Sequence, residues 1–158
     1  TEQAREAEAL RAESIRDALT QAYNRRYLSQ FEQTMGERRW AVINVDLDHF
    51  KQINDSEGHD AGDRVLIAMS RYLESQLRSD DALVRSGGDE FVLLLAHADE
   101  AQVQSLLAQL RAGMDAAPCS YSIGHALRQR NEPLMDTMSR ADAEMYALRR
   151  AARSSRSS

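Results

Sequence analysis

Arg85-Ser86-Gly87-Gly88-Asp89-Glu90-Phe91 is the stretch on which the fold turns. A short apolar run, Ala82 to Val84, enters it, and a longer one, Phe91 to Ala96, leaves it. Two adjacent glycines between strand-like runs predict a hairpin with positive φ at its tip, because glycine takes that conformation without steric penalty. Asp89 and Glu90 follow at once, hard against residues with the pattern of a buried strand. With no side chain at Gly87 or Gly88, a bulky ligand has room to approach the backbone. A charged hairpin tip with no ligand is the other reading of these residues taken alone.

Upstream, Trp40 to Leu47 is an apolar run with β-branched residues, read as a buried strand that ends in Asp46-Leu47-Asp48. Asn54 to Asp63 holds Gly58 and Gly62 and reads as a loop. Val65, Leu66, Met69, Leu73 and Leu77 then recur at helical spacing. Downstream, Asp99 is placed to cap a helix carrying Val103, Leu106, Leu107 and Leu110. Cys119 to Ala126 reads as a strand, and Pro133 opens a last helix with Leu134, Met138, Ala141, Met145 and Leu148 on one face. At the other end, 1–18 reads as a charged, alanine-rich linker or stalk helix with a thin stripe of Ala12, Ile15 and Leu19. A second helix opens at Asn24-Arg25-Arg26 and runs to about Glu37. One domain is expected over 19–153, and a disordered Ser/Arg tail over 154–158.

The order from Trp40 to Ala126 is β-α-β-β-α-β. That predicts an α+β fold with a ferredoxin-like, palm-type core: a central antiparallel sheet flanked by helices, with an N-terminal helical extension. In this topology the first and third strands are central antiparallel neighbours. The end of the first then lies beside the start of the third, bringing Asp46 next to Asp89 and Glu90. Two carboxylates at ~4 Å repel by roughly 4 kcal/mol at an effective dielectric of ~20. Either one stays protonated or a divalent cation sits among them. Hard oxygen donors select Mg²⁺ or Mn²⁺ over zinc, and a site with open positions suits phosphoryl or nucleotidyl transfer. A purely structural cluster is the alternative.

Composition narrows the partners. Hydrophobic residues make up 42% and charged residues 28% of the 158, which fits a soluble domain with a real core. A net charge of -5 speaks against a nonspecific nucleic-acid binder. The single cysteine, Cys119, excludes a disulfide framework or a multi-cysteine zinc site and suits a reducing compartment, so a cytoplasmic location is expected. No apolar run nears membrane-spanning length and no signal peptide is seen, so no direct membrane contact is expected of this segment. The chain opens on Thr1 and is read as part of a longer protein, with any sensor upstream.

Gly87-Gly88-Asp89-Glu90-Phe91 also spells the signature of the GGDEF family, the diguanylate cyclases, and the resemblance goes further. Asp17-Ala18-Leu19-Thr20 with Asn24-Arg25-Arg26 resembles the family's opening motif. The run Asp46-Leu47-Asp48-His49-Phe50-Lys51-Gln52-Ile53-Asn54-Asp55, followed by Gly58-His59 and Gly62-Asp63, is similar to its longest motif. Ser122-Ile123-Gly124 matches the late strand, and Ala141-Asp142 with Met145-Tyr146 the last helix.

The resemblance implies condensation of two GTP into cyclic di-GMP with release of two pyrophosphates. Catalysis would need a homodimer, each protomer binding one GTP. Asp46 and Asp89 would hold Mg²⁺ or Mn²⁺ with the Leu47 carbonyl. Glu90 would assist the metal or deprotonate the 3′-hydroxyl. Gly87 and Gly88 would let backbone approach the phosphates. His49 and Phe50 would join the substrate site, with the amides after the first strand cradling phosphate and Lys51 adding positive charge; a solvated lysine is the bland reading of Lys51. Asn54 and Asp63 would read guanine, whose N1–H and N2–H₂ are donors for an ionised carboxylate. Helix capping is the other role open to Asp63. His59 is read as a packed loop histidine.

Arg149 and Arg153, one turn apart, would face the terminal phosphates. The family usually has lysine at the first of these, and arginine replaces a point donor with a planar fork. Leu148, Ala152, Ser86 and a short linker from Ala112 to Pro118 also depart from the pattern. Arg78-Ser79-Asp80-Asp81 has the offset from Gly87 of the family's RxxD inhibitory site, where Arg78 and Asp81 would bind product. Two other activities stay open: a silent module that binds cyclic di-GMP or GTP, and a related enzyme acting on ATP, which Asn54 and Asp63 oppose.

Overall fold

The first strand is mostly apolar, broken only by Asn44 and Asp46, because helices cover both of its faces. Trp40–Leu47 forms β1, with only Asp46 partly exposed. β1 lies in the middle of a four-stranded sheet with Ala82–Arg85 (β2), Glu90–Ala96 (β3) and Tyr121–Leu127 (β4), in the order β2-β3-β1-β4. All three pairings are antiparallel. This is the expected α+β sheet, with the first and third strands central. The structure is a computed structural model and describes residues 1–7 and 14–155 with their side chains.

Alternation along β1 sends Ala41, Ile43, Val45 and Leu47 to one face and Trp40 and Val42 to the other. The first set packs on His59–Ser75 (α4) and Glu100–Ala112 (α5) through Leu66, Met69, Leu73, Val103, Leu107 and Leu110. The second packs on Tyr27–Met35 (α2) and Leu134–Ser157 (α6) through Leu28, Phe31, Met35, Leu134, Met138 and Ala141. Asp99 caps α5 as its sequence predicts, accepting from the Gln102 amide at 2.8 Å while the Gln102 side chain returns the bond.

Three expectations are corrected. The segment Asn54 to Asp63 is not a loop. Phe50–Glu57 (α3) and α4 are broken only at Gly58, which has φ 93°. Gly62 is tolerated inside α4 because a β-carbon there would strike the Asn54 side chain of α3. The helices thus cross at a glycine that marks close packing, not a chain reversal. Gly87 and Gly88 do not take positive φ; Gly36 and Gly58 are the glycines that do. The hairpin is closed by polar bonds instead: Arg85 donates to the Gly88 carbonyl from Nε at 3.2 Å and from Nη2 at 2.8 Å. Finally, α6 continues past Arg153 through Ser154 and Ser155, where a disordered tail was expected.

The N-terminal helix (α1, Glu2–Ser14) ends before the expected Ala18. Of its expected apolar stripe, Ala12 lies outside the described residues, and Leu19 packs against the α4–α5 side of the core. Asp17 caps the following turn, accepting from the Thr20 amide at 2.9 Å and hydroxyl at 2.7 Å.

Candidate active site

At the end of β1 the register sets Asp46 opposite Glu90 on β3 and opposite Ser122 on β4. The Leu47 N–H donates to the Asp89 carbonyl at 3.1 Å, and the Asp48 N–H to the Ser120 carbonyl at 2.9 Å. Asp46, Asp89 and Glu90 thereby each offer a carboxylate oxygen within 4.8 Å of the others. Residues distant in sequence meet because the two central strands are antiparallel neighbours.

Two of these carboxylates, Asp46 and Glu90, are shifted from their ordinary values. Burial pushes the Asp46 carboxyl above the usual carboxylate range; Arg149 pulls it down, while Asp89 and Asp48 push it further up. Glu90 is raised by burial, then by Asp46, Asp89 and Asp142, with Arg25 acting in the opposite sense. Closely spaced oxygens with surplus negative charge, on half-buried Asp46 and Asp89 and exposed Glu90, form a donor set that fits a small hard divalent cation.

A cavity of about 500 Å³ opens beside this rim. Asp46, Leu47, Asp89, His49, Phe50, Lys51, Arg149 and Arg153 line it. His49 sits in the left-handed region, φ 58°, and turns the chain from β1 directly into α3. Phe50 and Lys51 therefore form the first turn of a helix rather than a loop, which still points backbone amides outward at its start. Asn54 and Asp63 do not line this cavity; they flank the α3–α4 crossing, with Asn54 over Gly62. Because α4 starts at His59, Asp63 lies inside the helix and does not cap it. His59 is exposed at that helix start, not packed in a loop.

Gly87 and Gly88 line a different groove, on the Asp17 and Arg25 side of the hairpin. A β-carbon on Gly87 would lie 3.0 Å from Glu90 Oε2, whereas one on Gly88 would meet nothing within 4 Å. Gly87 therefore makes room for the Glu90 carboxylate, and Gly88 leaves open space. Arg85 ties the hairpin to the Asp17 turn, Nη1 lying 3.2 Å from Asp17 Oδ2. For Asp17, burial acts upward but bonds from Thr20 and Arg85 prevail and lower its carboxyl.

Arg149 lines this cavity, where its guanidinium faces acids of the chain itself. Its Nη1 donates to Asp46 Oδ2 at 2.8 Å, its Nη2 to Asp48 Oδ1 at 3.1 Å, and its Nε to Ser122 Oγ at 2.9 Å. The cause lies in β4 and α6. A β-carbon on Gly124 would collide with the Ala141 carbonyl and the Met145 amide, so α6 lies directly on the strand there. Ser122 shares Gly124's face of β4, and Arg149 shares Met145's face of α6. Contact at one pair sets the next pair together.

Arg78 and Asp81 lie apart from this rim, beside a second cavity of about 320 Å³ that Arg16, Tyr23 and Glu74 also line. Asp81 is already employed, accepting from the Arg78 amide and the Ala96 amide, each at 3.0 Å. Sequence reasoning assigned no role to Arg85, Asp48, Ser122, Asp142 or Arg111, another cation lining the larger cavity. Ser122 stands in the Ser122-Ile123-Gly124 motif, but only strand register sets it beside Asp46, and nothing in the local sequence points to Arg111.

The family described as diguanylate cyclase, GGDEF domain, matches residues 14–155. The chain belongs to the GGDEF family. This GGDEF domain is 35% identical over 158 residues to diguanylate cyclase DgcM of Escherichia coli K12, covering 92% of the chain and 38% of that protein. It is also 35% identical to diguanylate cyclase DgcP of Pseudomonas aeruginosa, covering 90% of the chain and 24% of that protein. The chain thus spans well under half the length of these relatives. Among solved structures, diguanylate cyclase SiaD of Pseudomonas aeruginosa, in complex with its activator SiaC, superposes with a TM-score of 0.80 at 32% identity, over 95% of this chain and 64% of that one. The coiled coil and GGDEF domain of DgcB from Caulobacter crescentus, in complex with c-di-GMP, gives 0.84 at 25% identity, over 95% and 88%.

Proposed function

We propose that this domain condenses two GTP into cyclic di-GMP and two pyrophosphates. The observation that carries the reading is the convergence of Asp46, Asp89 and Glu90 carboxylate oxygens within 4.8 Å at the mouth of a cation-lined cavity. Asp46 and Asp89, with the Leu47 carbonyl, would hold Mg²⁺ or Mn²⁺. Such an ion supplies charge neutralisation of the triphosphate and a more acidic attacking hydroxyl. Glu90, its carboxyl raised into a better range for accepting a proton, takes the 3′-hydroxyl hydrogen at a carboxylate oxygen. The 3′-oxygen then bonds to the α-phosphorus, and the bond to the pyrophosphate leaving group breaks.

Lys51, Arg153 and the amides near His49 and Phe50 orient the triphosphate, and Asn54 and Asp63 read the guanine edge. Each protomer presents half of a symmetric reaction, so a homodimer is the active species. Residues 1–18 act as the linker that carries an upstream signal, and the Asp17–Arg85 pair gives that segment a direct hold on the hairpin. Arg78 and Asp81 form the product-inhibition site. Arg78→Ala should leave the initial rate intact and raise the concentration of cyclic di-GMP needed for inhibition; an unchanged inhibition curve discards that site.

A second reading is favoured by one observation, the Arg149 guanidinium on Asp46 and Asp48. It is that of a weakly catalytic module that binds GTP or cyclic di-GMP as a regulator. One experiment separates the two: GTP and Mg²⁺ are incubated with increasing protein, and cyclic di-GMP is followed by chromatography. Product rising more steeply than protein supports a dimeric enzyme. Calorimetric binding of cyclic di-GMP with no turnover by demonstrated dimer supports the regulator.

A further inference from the structure

Arg149 uses all three edges of its guanidinium at once. Nη1 meets Asp46 at 2.8 Å, Nη2 meets Asp48 at 3.1 Å and Nε meets the Ser122 hydroxyl at 2.9 Å. The hydroxyl closes the circuit by donating to Asp48 Oδ1 at 2.8 Å. Arg149 and both acids are less than a third exposed at their side chains, 30%, 15% and 25% for Arg149, Asp46 and Asp48, so water screens the pair less than it would at an open surface.

Asp46 is also one of the three carboxylates of the triad. Its negative charge is thus wanted from two sides. A divalent cation at Asp46, Asp89 and Glu90 would draw on the charge that now holds Arg149 and would repel the guanidinium. We propose that Arg149 competes with the divalent cation for Asp46, so that metal entry dislodges the guanidinium and hands it to the terminal phosphates in the same cavity. The inference deepens the nucleotide-site reading above and rests on it for the identity of the phosphates. Arginine suits the competing role better than lysine. Its planar fork spans two carboxylates and a hydroxyl together, whereas an ammonium is a single point. The dislodged side chain stays within the cavity that Lys51, Arg111 and Arg153 also line. Linkage then makes metal and nucleotide help one another: phosphate that captures Arg149 removes the metal's competitor.

The test is Mn²⁺ binding to the nucleotide-free protein, read by electron paramagnetic resonance of the unbound ion. Arg149→Gln removes the competitor and should bind Mn²⁺ about 5-fold tighter or more, the lower end of ordinary coupling between sites. Arg149→Lys keeps the charge, loses the fork, and should fall between; it decides alone if the glutamine variant does not fold. Ser122→Ala loosens the guanidinium without touching its charge and should tighten Mn²⁺ by a smaller factor. A GTP analogue with sulfur on the α-phosphate should raise Mn²⁺ affinity less in Arg149→Gln than in the wild type. Equal or weaker Mn²⁺ binding in the folded Arg149 variants overturns the inference. Because this readout needs no turnover, tighter Mn²⁺ binding in a protein that makes no cyclic di-GMP rejects the cyclase reading alone. Unchanged Mn²⁺ binding in an active series rejects the inference alone.

Discussion

Glu132 and Asp46 are both buried or half-buried carboxylates beside an arginine on α6, yet their surroundings are opposite. Glu132, 9% exposed, is fully answered. It accepts from Arg140 Nη2 at 2.7 Å and Nε at 2.8 Å, from the Thr137 hydroxyl at 2.7 Å and from the Gln129 amide at 3.1 Å. Thr137 in turn accepts from Trp40 Nε1 at 3.0 Å, and Arg128 lies 3.7 Å from the centre of the Trp40 ring. The Arg140 bonds lead in holding the Glu132 carboxyl down to about 2, against burial. Asp46 meets one arginine but three acidic neighbours counting Asp48, and burial leaves its carboxyl raised. A carboxylate whose lone pairs are all taken by its own chain locks structure. One left with surplus charge among its own kind is set up to receive a cation from outside.

The strongest way to break that contrast is Asp89→Ala. Turnover should drop below about one hundredth of wild type, roughly 2.7 kcal/mol of barrier, with the melting temperature unchanged or higher. A collapse in melting temperature would move the triad into the structural class. Glu132→Ala should behave the other way: Arg140 is 39% exposed and can hydrate, but the buried Thr137 hydroxyl loses its acceptor, a cost of about 1–3 kcal/mol. That is a fall of roughly 5 °C for a chain of this size, with cyclic di-GMP formation per folded molecule retained. Intact stability in this variant would show that the network is dispensable.

Gly124→Ala sits between the two regions, forcing α6 off β4. We expect a loss of about 1–3 kcal/mol, together with Mn²⁺ binding shifted toward that of Arg149→Gln because Arg149 loses its seat. A variant as stable as wild type would mean that α6 adjusts freely.

The smallest effect is a pH signature of opposite sign at the two sites. The folded Glu132 carboxyl is depressed to about 2 from 4.5, so its stabilisation is present above pH 4.5 and is lost as pH falls toward 2. Asp46 and Glu90 are raised, so the folded state holds their protons longer and their contribution declines as pH rises past the usual carboxylate range. Urea midpoints measured with chelator present should lose their acid slope in Glu132→Gln. In Asp46→Asn and Glu90→Gln the decline toward neutral pH should flatten. A steeper decline in those two would invert the assignment.

Much of this was legible in residue order. The strand-helix alternation and the period of the apolar positions carry the sheet order, and with it the meeting of Asp46 with Asp89 and Glu90. The Asn54 to Asp63 stretch has the pattern of a loop because glycine marks both loops and close helix contacts, and only the Asn54 side chain over Gly62 distinguishes them. The hairpin glycines differ from expectation for a related reason: the local pattern does not show that Arg85 bonds close the turn. The Glu132 network leaves no trace in the local sequence, since Trp40, Thr137 and Arg140 come from β1 and α6.

By itself the sequence determined which chemical groups are present and which strand ends must adjoin, because hydrophobic periodicity and chain connectivity leave few ways to pair four strands. Only the tertiary structure decided whom each charge faces. Whether Arg149 looks toward phosphates or toward Asp46 depends on a helix seated against Gly124, a contact made across the fold by packing and not by any local preference of the chain.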